Sequence, residues 1–248
     1  MKVFAIGDLH LSFQRPVNPE DWTTGQELKP MSIFGDNWTD HYIKIYRNWR
    51  EKVSTDDLVL IPGDISWANT LAEMEYDLDF INLLPGKKVL IKGNHDYWWQ
   101  SISQLRSRLP DSFYLIQNDS IKFKELLIGG TRGWNIPVGN YATAQDRKIF
   151  QREVIRLELS LKDMVNSGDL TPEKIVLFHY MPVDESHQKN EMIELLQYYG
   201  VQTCLYGHLH GAKSHLVSIT GEKWGIKFYL VSADYINFKP KFIRQVQV

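Results

Sequence analysis

Short apolar runs that stop abruptly at small or polar residues recur along the chain. Val3–Ile6 leads into Gly7-Asp8, Leu58–Ile61 into Pro62-Gly63-Asp64, and Val89–Ile91 into Lys92-Gly93-Asn94. Further on, Ile175–Phe178 runs into His179, and Thr203–Tyr206 into Gly207-His208. Runs of this length, without alternation and rich in Val, Ile, Leu and Phe, predict strands buried on both faces. More strands are expected near Phe113–Ile116, Ile121–Phe123, Leu126–Ile128, Leu216–Ile219 and Phe228–Val231. Apolar residues at helical spacing predict helices over Thr39–Lys52, over Leu71–Leu84 before Pro85-Gly86, and over Ala142–Val165. In the last, Phe150, Val154, Leu157, Leu161, Met164 and Val165 form one stripe, closed by Asn166-Ser167-Gly168. Strands alternating with helices, and no repeat or low-complexity tract, predict one α/β domain over residues 1–248.

Two stretches carry no period. Ser12–Trp38 holds three Pro, two Gly and two Trp, and Gly129–Tyr141 holds four Gly around Arg132-Gly133-Trp134. Long ordered loops in compact domains are usually lids or binding loops, with surface elaboration as the alternative.

Composition narrows the function classes. The chain carries 28 basic and 30 acidic residues, a net charge of −2, which argues against tight duplex nucleic-acid binding. With 43% apolar and 12% aromatic residues it is not a disordered acidic chain. Cys204 is its one cysteine, which excludes an intrachain disulfide or a Cys-rich zinc site. The apolar run Val3–Ile6 is too short for a secretory leader, and no window is long enough for a membrane span, so a cytoplasmic protein is expected.

The eight histidines change this picture. Open α/β sheets bind ligands beyond the carboxyl ends of their strands, and the apolar runs deliver Asp8, His10, Asp64, Asn94, His95, Asp96, His179, His208 and His210 there. Imidazole, carboxylate and amide oxygen without thiolate suit Mn, Fe, Zn, Co or Ni. Asp8-x-His10 and His208-x-His210 let alternate residues of extended segments reach one ion. Seven ligands exceed one tetrahedral ion and fit two ions sharing a carboxylate. Asp-x-His alone is common, but Gly-Asn-His-Asp is expected on the order of once in a thousand such chains, so chance does not explain the ordered set. His41, His187 and His215 lie outside it and read as surface or hydrogen-bonded residues.

Asp8-Leu9-His10, Gly63-Asp64, Gly93-Asn94-His95-Asp96, His179 and Gly207-His208-Leu209-His210 together resemble the calcineurin-like metallophosphoesterases. The resemblance implies a four-layer α/β/β/α sandwich: two mixed sheets flanked by helices, with metals at the strand ends. It implies that Asp8, His10 and His210 hold one metal, that Asp64 bridges, and that Asn94, His179 and His208 complete the second. His95 would face the substrate phosphate and stabilise it or protonate the leaving oxygen, and Asp96 would either orient His95 or cap a following helix. The implied activity is hydrolysis of phosphate mono- or diesters by attack of a metal-bridging hydroxide.

Departures from relatives bear on substrate. Ile65-Ser66-Trp67-Ala68 stands where the family's protein phosphatases continue Val-Asp-Arg-Gly, so their phosphate-clamping Arg is missing. His95 stands where lipid A precursor hydrolases usually carry Arg. Arg132 is a candidate replacement clamp by its bidentate fit to phosphate. Trp67, Trp98 and Trp99 follow metal-binding segments and would wall a pocket for a flat leaving group or pack in the core. A nuclease for short or single-stranded nucleic acid is the enzymatic alternative. A metal-binding scaffold without catalysis is the other, and its expected loss of ligands is not seen.

Overall fold

A computed structural model describes residues 1–24, 26–139, 142–166 and 173–246. The Ser167-Gly168 part of the expected helix stop, and the last two positions of the 129–141 stretch, lie outside the described residues.

The continuous apolar runs become strands with both faces covered. In β1 (Lys2–Ala5), Val3 and Ala5 pack between two sheets, whereas Phe4 packs outward against helices. Helix α1 spans His41–Lys52, and β2 (Leu58–Ile61) repeats the alternation: Leu58 and Leu60 face inward, Val59 and Ile61 outward. There follow α2 (Glu75–Asn82), β3 (Lys87–Leu90), α3 (Ile102–Arg106), β4 (Phe113–Leu115), β5 (Ser120–Phe123) and β6 (Leu126–Thr131). The second half adds α4 (Ala144–Asn166), β7 (Glu173–Phe178), α5 (Glu191–Tyr198), β8 (Thr203–Tyr206), α6 (Gly211–Leu216), β9 (Gly221–Lys223), β10 (Ile226–Leu230) and β11 (Lys241–Gln245).

One sheet has the order β11-β1-β2-β3-β4, parallel except for β11; the other runs β5-β6-β7-β8-β10-β9, with antiparallel β5 and β9 at its edges. Between them lies a layer made by Val3, Leu58, Val89, Ile128, Leu177 and Leu205, among others. Trp49, Phe80 and Ile81 of α1 and α2 cover the first sheet, and Leu157, Leu161, Ile193 and Leu196 of α4 and α5 cover the second. This is the expected four-layer α/β/β/α sandwich. Each fully buried aliphatic side chain contributes roughly 1.5–3 kcal/mol relative to exposure, so packing on both faces is what holds the strand ends in register.

The sheets meet at their carboxyl ends. Gly7 N donates to Val231 O (2.7 Å) and Ala233 N to Gly7 O (3.1 Å), which joins the end of β1 to the end of β10. Parallel pairing therefore brings the ends of β1, β2, β3, β7, β8 and β10 to one rim.

Some expectations change. Leu216–Ile219 is no strand: Leu216 ends α6 and is exposed, and Ile219 packs into the core beyond it. The hairpin lies later, where Trp224-Gly225 (φ 56° and 77°) makes the two-residue turn between β9 and β10. Gly129–Thr131 belong to β6, so the loop begins only at Arg132. Among its described residues, the 12–38 stretch holds three short 3-10 turns, at Trp22–Thr24, Met31–Phe34 and Asp36–Trp38, and the isolated bridges Phe13 to Glu27 and Asn18 to Asp21. It is tied down by Leu28 N to Ser12 O (2.7 Å) and Phe13 N to the buried Asp77 carboxylate (2.8 Å). Among the described residues no helix is long and apolar enough to cross a membrane.

Candidate metal centre

The ligand candidates are aimed by unusual backbone. Asp8, His10, Asp64 and His208 have φ of 57°, 46°, 50° and 70°, a region non-glycine residues seldom enter. Such residues cost of order 1–3 kcal/mol each and persist where surrounding contacts over-determine them. Here Asp8 N donates to Gly63 O (3.0 Å) and His10 N to Asp64 O (3.0 Å), zipping the first segment onto the second. Two glycines permit the close approach: a Cβ on Gly93 would overlap Asp64, and one on Gly207 would overlap the Asp8 carboxylate.

Six candidates converge as two groups, Asp8 with His10 and His210, and Asp64 with His179 and His208; within each group the ligand atoms lie within 4.8 Å of one another. Asp64 reaches both, its Oδ2 standing 3.3 Å from His179 Nε2 and 3.8 Å from His10 Nε2. Asn94 Oδ1 lies 2.6 Å from His179 Nε2, which brings the seventh candidate to the second group. Backbone N–H groups fix the carboxylates: His208 N donates to Asp8 (3.0 Å) and His95 N to Asp64 Oδ1 (2.8 Å).

Two of the imidazoles are oriented from behind. His179 Nδ1 donates to Pro62 O at 3.0 Å and His210 Nδ1 to Asp234 Oδ1 at 2.9 Å, which leaves each Nε2 facing the centre. The ring of His10 stacks on Trp67, centroids 5.0 Å apart. Burial pushes His10 down to about 3 and His208 down to about 4, so both are neutral near pH 7. His210 is also pulled down by burial, yet its bonds to Asp234 and Asp8 outweigh this and lift it to about 10. Burial acts to raise Asp64, but His179 and His10 hold its carboxyl well below the usual range.

This donor set fits metal ions. His10 Nε2 faces His210 Nε2 at 3.3 Å, and His208 Nδ1 faces His179 Nε2 at 3.2 Å. Two imidazole lone pairs repel at such distances unless a proton or cation lies between them. Both carboxylates are buried, and buried charge needs a counter-charge. Two carboxylates, an amide oxygen and four imidazoles suit transition-metal dications better than Ca or Mg.

Other expected site residues fall differently. His95 and Trp67 line a cavity of about 390 Å³ in front of both groups, shared with Met31, Phe34 and Trp38 from the 12–38 stretch. Among the described residues, Asp96 makes no hydrogen bond to the His95 ring and caps no helix. It is wholly buried and accepts from Gly93 N (2.7 Å), Ile65 N (2.9 Å), Ser66 N (3.1 Å) and Trp98 Nε1 (3.0 Å), clamping the second motif to the third. Trp98 is buried core and does not line the cavity; core packing claimed its ring once its N–H found Asp96. Arg132 also lies off this cavity, beside Glu153 (3.7 Å) and over the Trp134 ring (5.0 Å). Of the outlying histidines, His41 is buried against Leu9 O (2.9 Å) and His187 bonds Val217 O (2.8 Å). His215 reaches Asp234 at 3.4 Å. Sequence reasoning missed Asp234, whose signal was its place just past the run Phe228–Val231, like the other strand-end carboxylates.

The family model for calcineurin-like phosphoesterase matches residues 1–212. The chain belongs to that family. It is 32% identical over 94 residues to the Gene 66 protein of Mycobacterium phage D29, and 33% over 89 residues to that of phage L5. Those stretches are 38% and 36% of this chain and only 40% and 37% of the phage proteins. The solved phosphopantetheinyl hydrolase of Mycobacterium tuberculosis superposes with a TM-score of 0.50 at 14% identity, covering 93% of this chain and 88% of that one. At that identity the likeness speaks for fold alone.

Proposed function

We propose that this chain is a dinuclear metal-dependent phosphoesterase acting on small or medium phosphate mono- or diesters. The observation that carries the reading is the pair of ligand groups, with Asp64 of the second also 3.8 Å from His10 of the first, and His95 on the same open cavity. Asp8, His10 and His210 would hold one ion, Asn94, His179 and His208 the other, and Asp64 would bridge. Two such cations supply Lewis-acid polarisation of a phosphoryl oxygen and a nucleophilic water of lowered pKa.

The chain's own residues do the rest. His95 presents its ring to the cavity in contact with Trp67 (centroids 4.2 Å), placed to donate to a phosphoryl or leaving oxygen. Trp67, Trp38, Met31 and Phe34 give the cavity an apolar wall that suits an aromatic or otherwise flat leaving group. The same wall accommodates a nucleobase, so short single-stranded nucleic acid belongs among the test substrates. The pairing of β11 with β1 supports reading residues 1–248 as one domain. A cytoplasmic setting belongs to the same proposal, and the buried free thiol of Cys204 is compatible with it.

The test is turnover of p-nitrophenyl phosphate, bis-p-nitrophenyl phosphate, cyclic nucleotides and single-stranded DNA by protein reconstituted with Mn, Fe, Co, Ni or Zn. Hydrolysis of at least one is expected, with His95→Ala keeping its metals and losing roughly 100-fold or more in rate. No turnover with any metal would overturn the reading.

A further inference from the structure

A second cavity, of about 280 Å³, opens beside the metal centre where the ends of β3, β4 and β6 meet α4. Its lining shares no residue with the cavity in front of the ligand groups. Four cationic side chains reach it from three separate segments: Lys92 just after β3, Arg132 just after β6, and Arg152 with Arg156 on α4. Among the described residues of this lining, Glu153 is the one acidic side chain. It is fully buried and already engaged, accepting from Thr131 Oγ1 (2.6 Å) and Arg156 Nη1 (2.7 Å) with Arg132 at 3.7 Å.

Such an excess of cations is unfavourable by itself. Arg152 and Arg156 stand one turn apart on the same helix face, where like charges destabilise. The chain as a whole has a net charge of −2, so this crowding is local and not a general surplus. Arg132 Nε is buried with no hydrogen-bond partner, a donor left over at the cavity. An anion would relieve both defects, and planar guanidinium groups match the oxygens of a phosphoryl group in paired hydrogen bonds. Gln117 and Asn118 add amide groups to the same wall.

We propose that this cavity is an anion site for a phosphoryl group, separate from the metal centre. The group is either free inorganic phosphate or a second, non-reacting phosphoryl group of a larger substrate. Arg132 joins the two sites mechanically, because its carbonyl accepts from the backbone N–H of His179, a metal-ligand candidate, at 3.0 Å.

The first arm of the test uses chelator-treated full-length protein titrated with inorganic phosphate by calorimetry, and it needs no turnover. Wild type is expected to bind, more weakly as ionic strength rises. Arg152 is exposed and pairs with no carboxylate among the described residues, so R152Q and R152E will fold; they are expected to weaken binding in that order, by roughly ten-fold or more for R152E. No binding by wild type, or equal binding by all three proteins, overturns the proposal whether or not the chain is a phosphoesterase. The second arm separates the sources using metal-loaded enzyme. A larger rise in KM from R152Q for a bisphosphorylated ester than for p-nitrophenyl phosphate assigns the site to the substrate. Equal KM changes together with lost phosphate binding assign it to the free anion.

Discussion

Asp234 Oδ1 accepts a hydrogen bond from His210 Nδ1 at 2.9 Å, while Asp234 Oδ2 accepts from Gly211 N at 3.0 Å. The carboxylate thus fixes both the ring and the backbone that carries it. A carboxylate behind a ligand imidazole sets its tautomer and raises its basicity, and removing it typically costs 10–100-fold in metal affinity. Asp234→Asn is therefore expected to weaken metal binding by about that factor while leaving the circular dichroism spectrum unchanged. Competition titration with a chromophoric chelator measures it. An unchanged affinity would mean that His210 is oriented by something else.

Asp96 separates a clamp from a catalyst. Its four N–H partners include three backbone amides from two different loops, and burial together with Asp64 pushes its carboxyl up to about 6. Asp96→Asn replaces one acceptor by a donor; with its oxygen kept toward Ile65, Ser66 and Trp98, its NH2 faces the buried Gly93 N–H and leaves it unsatisfied at about 1–3 kcal/mol. The expected result is a lowered melting temperature and a parallel loss of bound metal. A variant of native stability that had lost only its rate would instead restore a direct catalytic role.

Lys88 gives the fold a pH signature away from the centre. It is buried beside the Phe113 ring, its Nζ donates to Leu84 O at 2.5 Å, and burial pushes it down to about 8. Between pH 8 and the ordinary lysine value, the unfolded chain holds a proton that the native state has released. Stability therefore rises with pH across that window, and below it the penalty for the buried charge is constant. Lys88→Met should stabilise the protein at pH 7 by on the order of 2 kcal/mol and remove the alkaline rise. Urea denaturation at pH 7 and pH 9.5 checks this; an equal shift at both would contradict it.

How much was legible in the sequence follows from which forces are local. Strands β1, β2, β3, β7 and β8 are buried on both faces, so their apolar runs, and the polar residues ending them, stood out. All seven ligand candidates follow such runs, and the structure places them together. Asp234 was harder, because its partner His210 comes to it through the parallel pairing of β8 with β10 and not through spacing. The basic cavity was invisible for the same reason: Arg152 and Arg156 look like an ordinary polar helix face until α4 packs beside the ends of β3 and β6. Trp98 followed a metal segment as Trp67 did, but only the three-dimensional path of the loop sends one ring to the core and the other to the cavity.

The central claim is that two ions share this centre through Asp64. It is tested most directly by titrating chelator-stripped protein with Mn(II) and following p-nitrophenyl phosphate hydrolysis, with Asp64→Asn alongside. The account predicts that wild-type activity rises until two equivalents are bound, and that the folded Asp64→Asn protein stays inactive at any Mn(II) concentration. Full activity at one equivalent, or near-wild-type turnover by Asp64→Asn, would contradict it.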